Sequence, residues 1–253
     1  MIADFIKKIK QKKELLDIPD QFVLEIIENY LKKHSIHLPE KEKQSRVLIK
    51  EIRAQLRDYT GRFQIKADKE KRIELLKENK IEELLKTHSS TKERLPDYSQ
   101  IIEWIYSENP KSILDLACGI NPIAIAKPGT FYYAIDIKED ELELINNFFK
   151  KNKIQGKTIL SDITKIEYFP KTDISLIFKT LDIIETKSHK RAMEIIKKIK
   201  SKQIIASFSA ITLSGKKMNS PRRLWFEKML KSLNYKFEMR KTRNEVFYFV
   251  EKN

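Results

Sequence analysis

Three aspartates, each at the end of an apolar segment, are the residues best placed to do chemistry in this chain. Asp115 precedes a turn with Gly119, Asp136 ends the next apolar segment about twenty residues on, and Asp162 follows a third. Parallel strands bring such acids to one edge of a sheet, where Asp136 can accept hydrogen bonds from ribose hydroxyls and Gly119 lets the backbone approach a nucleoside. The spacing therefore predicts a Rossmann-like site for an adenosine-containing cofactor.

The turn after Asp115 narrows the class of cofactor. Residues 115–122 read D-L-A-C-G-I-N-P, with one glycine where the dinucleotide fingerprint G-x-G-x-x-G needs three. S-adenosylmethionine fits better, because it has no pyrophosphate to cradle. Each segment taken alone has a structural alternative: an ordinary strand–turn–helix at Gly119, a helix cap at Asp136, and a turn residue at Asp162.

Other candidate residues follow the same pattern of strand ends and junctions. Lys179 comes directly after an apolar strand, where it can contact the cofactor or a substrate phosphate; a snorkelling lysine is the alternative. Glu185 can pair with Lys179 or cap a helix. Arg94, in the segment from His88 to Leu95, can grip the carboxylate of a cofactor through two hydrogen bonds, although a basic linker explains this segment equally well.

A loop with basic and aromatic residues follows the fifth predicted strand. In methyltransferases with a Rossmann-like fold, the loop at this position stands over the methyl group of the cofactor. Its basic and aromatic residues can therefore hold a displaced base. Its candidate RNA-binding residues are Lys216, Lys217, Asn219, Arg222 and Arg223. Helix packing is the alternative for Trp225 and the favoured interpretation for Phe226.

The net charge of +15 is unevenly distributed along the 253 residues. Residues 1–95 carry a net +6 and residues 201–253 a net +8, whereas residues 96–200, with the aspartates, carry only +1. Lys and Arg on the flanks can displace counterions from phosphates, which favours a polyanionic partner such as RNA. The alternative is a lysine-rich surface without a specific partner, since the 17 acids among residues 1–95 are typical of solvated helix faces.

Cysteine, histidine and hydropathy patterns exclude several classes of protein. Cys118 is the only cysteine, which rules out an internal disulfide and suits a reducing cytoplasm. Four histidines with one cysteine offer no zinc set, so we expect no metal. No apolar stretch is long enough to span a bilayer, and the N-terminus lacks the features of a signal peptide. We expect a cytoplasmic monomer with no membrane partner.

Periodicity divides the chain into two predicted regions. Residues 1–86 have apolar side chains at helical spacing and form an all-α N-terminal domain, with helices at 2–16, 22–31, 47–56 and 73–85. Residues 87–253 alternate apolar strands (112–117, 131–137, 157–160, 173–178 and 203–208) with helices (98–106, 139–150, 189–200 and 221–233), and they end in a hairpin, 235–240 with 246–250. This alternation predicts an α/β fold: a Rossmann-like class I methyltransferase sheet, covered on both faces, with a terminal antiparallel hairpin.

Several of these segments, in order and with matching spacing, resemble the aminoglycoside-resistance methyltransferases that form N7-methylguanosine in 16S ribosomal RNA, the Arm or FmrO family. The similar segments are residues 88–95, 115–122, 134–137, 161–163, 176–179 with Glu185, 207–208 and 213–227. The chain departs from the family pattern at Lys92, where arginine is usual, at Ser209, where proline is usual, and near Gly215, where the family has more glycine.

The resemblance implies an S-adenosylmethionine-dependent methyltransferase that acts on 16S rRNA in the decoding region of the 30S subunit. Aminoglycoside resistance of the host would be a separate consequence of this methylation. The helical domain would dock on the subunit. The implied cofactor-binding residues are Arg94, Asp115, Ala117, Gly119, Asp136, Ile137, Asp162, Ile163 and Lys179; those implied to position the base are Lys179, Phe208 and Trp225. Two alternatives stay open: a methyltransferase of another RNA position or substrate, and a non-catalytic ribosome-binding factor.

Overall fold

A computed structural model of the chain describes residues 2–12, 15–16, 18–39, 41–60, 68–184, 189–212 and 216–252, without the side chains of 58–60. The helices are α1 (Ile2–Ile9), α2 (Asp20–His34), α3 (Glu42–Thr60), α4 (Lys69–Lys77), α5 (Ile81–Leu85), α6 (Ser89–Arg94), α7 (Tyr98–Tyr106), α8 (Pro122–Ile125), α9 (Glu139–Lys151), α10 (Leu181–Ile184), α11 (Lys190–Lys198) and α12 (Leu224–Ser232). The strands are β1 (Ser112–Leu116), β2 (Phe131–Asp136), β3 (Gly156–Leu160), β4 (Ile174–Phe178), β5 (Gln203–Ser209), β6 (Lys236–Lys241) and β7 (Glu245–Glu251).

All seven strands form one sheet in the order β3-β2-β1-β4-β5-β7-β6. The first five in this order are parallel, whereas β7 is antiparallel to both β5 and β6. The strand order reverses between β1 and β4, and ligands bind α/β sheets at the carboxyl ends of the strands flanking such a reversal. The predicted fold class, with its terminal antiparallel hairpin, is confirmed.

Helices cover both faces of the sheet, because successive side chains of a buried strand point to opposite sides. Ile113 and Leu114 show this directly: they are adjacent in β1, but one belongs to the core cluster shared with α7 and α9 and the other to the cluster shared with α11 and α12. All five residues of β4 are buried. In α9, the acids of the first turn and the lysines of the last turn complement the helix dipole.

A third core cluster belongs to α1, α2 and α3, which we call the N-terminal bundle. Helices α4 and α5 pack elsewhere: Leu75, Leu76, Leu84 and Leu85 lie in the core cluster on one face of the sheet. The predicted division at residue 86 therefore does not coincide with the change from one core to another, which falls between α3 and α4.

Several predicted helix boundaries were wrong. The first helix ends at Ile9 instead of residue 16, and the single helix predicted for 73–85 is two helices, because Asn79 adopts a left-handed conformation (φ 60°) between them. The segment after His88, for which a basic linker was one of two interpretations, is helix α6. Helix α12 begins at Leu224, since Arg223 is non-helical and its N–H donates to the hydroxyl of Tyr248 (2.9 Å).

Two absences hold for the described part of the chain. None of its helices combines the length and apolarity needed to cross a bilayer. It also contains no group of three or more His, Cys, Asp or Glu side chains arranged to hold a metal ion.

Candidate active site

A cavity opens at the carboxyl ends of β1, β2 and β4, where the strand order reverses. It encloses about 910 Å³ of space, part of it open to solvent, and its lining includes Asp115, Asp136 and Asp162. The three aspartates are thus brought to one site, as their positions at successive strand ends predict.

Asp115 forms the floor of this cavity. Its carboxylate is 1% exposed and accepts hydrogen bonds from Asn121 Nδ2 (3.0 Å) and from the hydroxyl of Tyr132 (2.8 Å). Burial raises the pKa of Asp115 to about 7, although both hydrogen bonds oppose the shift. A cationic ligand in the cavity would favour the ionised form.

Asp136 links the end of β2 to the glycine turn. One carboxylate oxygen accepts from Gly119 N (2.8 Å), and the other accepts from Ile137 N (2.8 Å) and Lys138 N (3.1 Å). Because α9 begins only at Glu139, Asp136 orders the residues just before the helix without being its cap residue. Burial, followed by the negative charge of Glu141, raises the pKa of Asp136 to about 6.

The turn after β1 needs its glycine for two reasons. Ala117 and Gly119 both have positive φ angles, 52° and 51°. A Cβ at position 119 would also lie 3.0 Å from His88 Nε2 and 3.1 Å from its Cε1. Cys118, between them, is buried, and burial raises the pKa of its thiol, so it fills space and is not suited to act as a nucleophile.

Asp162, which follows β3, also lines the cavity, as do Ile163 and Ile137. Its Oδ1 accepts from Thr164 N (2.9 Å) and Thr164 Oγ1 (2.7 Å), which is the geometry of the predicted turn residue. Its Oδ2 faces Lys165 Nζ at 4.0 Å. Turn formation uses only one carboxylate oxygen, so it does not compete with ligand binding by the other.

Two cations share one acid on the opposite wall. Arg94 Nε lies 2.7 Å and Lys179 Nζ 3.3 Å from Oε1 of Glu245, and Lys179 also pairs with Glu93. Ser207 Oγ donates to Oε2 of Glu245 (2.6 Å). Lys179 is 6% exposed, so the snorkelling alternative is wrong; Glu185, its other suggested partner, lies outside the described residues.

Sequence reasoning missed Glu245 altogether. It begins β7, more than sixty residues after Lys179 in the chain, and its partners are brought to it only by the pairing of β7 with β5. A usable signal existed: Glu245 is the acid directly before the apolar run V-F-Y-F-V, in a C-terminal region with 12 Lys and Arg against 4 Asp and Glu.

The cavity has unsatisfied polar groups that fit an amino-acid-bearing nucleoside. Arg94 Nη2 and His88 Nδ1 are buried without a hydrogen-bond partner among the described residues, and both side chains line the cavity. Burial lowers the pKa of His88 to about 4, so the imidazole is neutral at physiological pH. These groups fit S-adenosylmethionine. The carboxylates can accept hydrogen bonds from its ribose hydroxyls, the guanidinium can bind its carboxylate, and the apolar Ile137 and Ile163 can pack against its adenine.

The aromatic residues predicted to hold a base divide into two kinds. Phe208 is fully buried, with its ring 5.9 Å from that of Trp225 and 5.1 Å from that of Phe226. The expected contact of Phe208 with a base is therefore wrong for this structure, because packed rings cover it. Phe226 is also fully buried, which confirms helix packing, whereas Trp225 is half-buried and stacks on His189 at 4.3 Å.

The candidate RNA-binding residues also divide. Lys216, Lys217 and Asn219 are exposed. Arg223 instead fixes the loop to the fold: its Nη2 lies 2.8 Å from Asp182 Oδ2, and the side chain is only 14% exposed. The prediction that Arg223 contacts RNA is therefore corrected: the residue anchors the loop. Arg222 Nε donates a hydrogen bond to Glu227 Oε1 (2.9 Å). Gly215, in the same loop, lies outside the described residues.

Comparison with known proteins agrees with this geometry. A family model described as "Ribosomal RNA methyltransferase (FmrO)" matches residues 31–249. A 16S rRNA (guanine(1405)-N(7))-methyltransferase from Serratia marcescens is 30% identical over 178 residues, which are 68% of this chain and 70% of that protein. Its counterpart from Micromonospora echinospora is 27% identical over 176 residues, 66% of this chain and 64% of that one.

Solved structures share the whole fold. The 16S rRNA methyltransferase RmtF, in complex with S-adenosyl-L-homocysteine, superposes with a TM-score of 0.83 at 22% identity, covering 100% of this chain and 98% of that one. The 16S rRNA methylase RmtB gives a TM-score of 0.80 at 23% identity, covering 100% and 99%. The chain therefore belongs to the FmrO family of ribosomal RNA methyltransferases.

Proposed function

We propose that this protein transfers the methyl group of S-adenosylmethionine to N7 of guanine 1405 in 16S rRNA. The observation that carries the proposal is the cavity at the sheet's reversal point, where Asp115, Asp136 and Asp162 line the same space as the unsatisfied atoms Arg94 Nη2 and His88 Nδ1. The nucleotide is the one that the similar methyltransferases from Serratia marcescens and Micromonospora echinospora are named for.

Methyl transfer to guanine N7 requires correct positioning of the reactants but no general base. Guanine N7 carries a lone pair and no proton, and the bound cofactor supplies an electrophilic sulfonium methyl group. The side chains therefore need only to orient the reactants and exclude water, and orientation alone can lower a barrier by about 7–11 kcal/mol. The absence of a histidine or cysteine with nucleophilic character from the described cavity wall is consistent with this mechanism.

Each wall of the cavity has a separate task in binding the cofactor. Asp136 would accept hydrogen bonds from the ribose, Arg94 would bind the carboxylate through its unsatisfied Nη2, and Ile163 with Ile137 would flank the adenine. Lys179, held by Glu93 and Glu245, keeps the opposite wall ordered. The acidic floor at Asp115 favours a cationic cofactor over a neutral one.

The RNA side of the site lies on the loop after β5. N7 faces the deep and narrow major groove of A-form RNA, so the guanine must be exposed or displaced from its helix. Lys216, Lys217 and Asn219 are exposed for phosphate contacts, and Trp225, in the helix that follows the loop, is half-buried. We further propose that the protein acts in the cytoplasm, as a monomer, on the assembled 30S subunit, with the N-terminal bundle docked on it.

The decisive experiment is to incubate the purified protein with labelled S-adenosylmethionine and either 30S subunits or naked 16S rRNA, and to map the product by mass spectrometry. We expect label at N7 of guanine 1405, and none with the Asp136→Ala variant. Label at another nucleotide would assign a different RNA position. Tight cofactor binding with no methylated RNA would instead indicate a non-catalytic ribosome-binding factor.

A further inference from the structure

The wall of the cofactor cavity is not built by the sheet region alone. Phe22, in the first turn of α2, lines the cavity together with Asp162 and Ile163. Its side chain is buried at 7% exposure, although it comes from the N-terminal bundle. A residue that belongs to one core and borders a ligand cavity in another is a candidate for direct contact with that ligand.

The contact is held in place by charge and by packing. Lys165, three residues after Asp162, lies 5.2 Å from the centre of the Phe22 ring, and its Nζ pairs with Glu25 one turn further along α2. Ile137, at the carboxyl end of β2, packs against the core of the bundle. The bundle is therefore seated on the rim formed by the segments that follow β2 and β3.

The same bundle reaches the other side of the cavity. Helix α3 contacts α10, the short helix that follows β4, and Ile183 and Ile184 of α10 line the cavity. The N-terminal bundle thus touches elements on both sides of the opening, and Phe22 is the side chain that it contributes to the lining.

We propose that Phe22 is a cofactor-binding residue, whose ring closes the adenosine end of the cavity and contacts S-adenosylmethionine directly. The inference rests on the proposed function, because it assumes that the cavity takes this cofactor with its adenosine beside Asp162. Phe22 lies before residues 31–249, which the family model matches, so the family pattern does not assign it this role.

The test compares two phenylalanines of one core by calorimetric titration. Phe22 and Phe5 are both 7% exposed in the same cluster, but only Phe22 is among the residues that line the described cavity. We expect Phe22→Ala to weaken binding of S-adenosylmethionine about tenfold, the size of a lost aromatic contact. Methylthioadenosine, which has the adenosine but no amino-acid end, should lose the same factor. Phe5→Ala should leave both affinities within about twofold.

Three outcomes separate the possibilities. Unchanged affinity in Phe22→Ala, or an equal loss in Phe5→Ala, would overturn the inference, the second because loosening of the bundle would then explain the effect. No cofactor binding by the unmodified protein would instead reject the proposed function itself. If Phe22→Ala does not fold, Phe22→Trp can be tested by fluorescence. On binding of methylthioadenosine, its emission should change more than that of the unmodified protein, which contains only Trp104 and Trp225. An equal change in the two proteins would contradict the contact.

Discussion

Removal of the Glu245 carboxylate is the sharpest test of how the candidate site is held together. This acid is 1% exposed, and it faces Arg94 at 2.7 Å and Lys179 at 3.3 Å. Burial alone would raise the pKa of Glu245, but the two cations hold it below its usual range. Glu245→Ala would leave a guanidinium and an ammonium group buried beside each other, with Glu93 as the remaining nearby acid.

Breaking a buried charge pair by removing one partner costs about 3–5 kcal/mol, mostly because the other charge remains without compensation. We expect a loss of that order, about 3–5 kcal/mol, in the free energy of unfolding of Glu245→Ala. Glu245→Gln should lose less, because the amide still accepts the hydrogen bond from Ser207. Urea denaturation followed by the fluorescence of Trp104 and Trp225 reports on the sheet region and measures both variants.

The control is Glu251→Gln, at the exposed end of the same strand, for which we expect a change within about 0.5 kcal/mol. The stability contributed by the lowered pKa of Glu245 is present above the unfolded value of about 4.3 and is lost as the pH falls through the lower folded value. The difference between unmodified protein and Glu245→Gln should therefore shrink below about pH 4. Equal stability of Glu245→Ala and Glu251→Gln at neutral pH would refute the reasoning.

Three further predictions concern the cofactor and RNA. Gly119→Ala places a Cβ 3.0 Å from His88 at a positive φ and should weaken cofactor binding at least tenfold in calorimetry; unchanged affinity would contradict the close approach. Because burial raises the pKa of Asp136 to about 6 and that of Asp115 to about 7, cofactor affinity should increase between pH 5 and 8 as both carboxylates ionise; Asp136→Asn should remove the part of the rise near pH 6, and a pH profile identical to that of the unmodified protein would contradict the role of Asp136. Lys217→Glu should reduce the slope of log affinity for the 30S subunit against log salt concentration by about one or more, and it should leave cofactor affinity unchanged. An unaltered slope would exclude a phosphate contact.

The sheet and the acidic edge of the site were predictable because both rest on local patterns. Continuous apolar strands that alternate with amphipathic helices specify a parallel sheet, and the acids at 115, 136 and 162 follow those strands directly. The single glycine of the turn after Asp115 favoured S-adenosylmethionine as the cofactor, and the resemblance to the family then supplied the substrate class.

What could not be predicted depends on packing between distant segments. Phe208, Trp225 and Phe226 are all aromatic and close in space, and only tertiary packing decides that Trp225 alone stays partly exposed. Phe22 reaches the cavity from the N-terminal bundle, and Glu245 reaches Arg94 and Lys179 from the far end of the chain, so the spacing of residues around the three aspartates indicates neither contact. Helix ends were missed where one residue decides them, as Asn79 does between α4 and α5.

The position of β7 has a consequence for synthesis of the protein. This strand lies between β5 and β6, so the last strand along the chain is inserted between two earlier ones. A nascent chain cannot complete the sheet, or supply the acid that balances Arg94 and Lys179, until residues 245–251 have emerged from the translating ribosome. The pairing of Arg94 and Lys179 with Glu245 is therefore completed only after translation of β7.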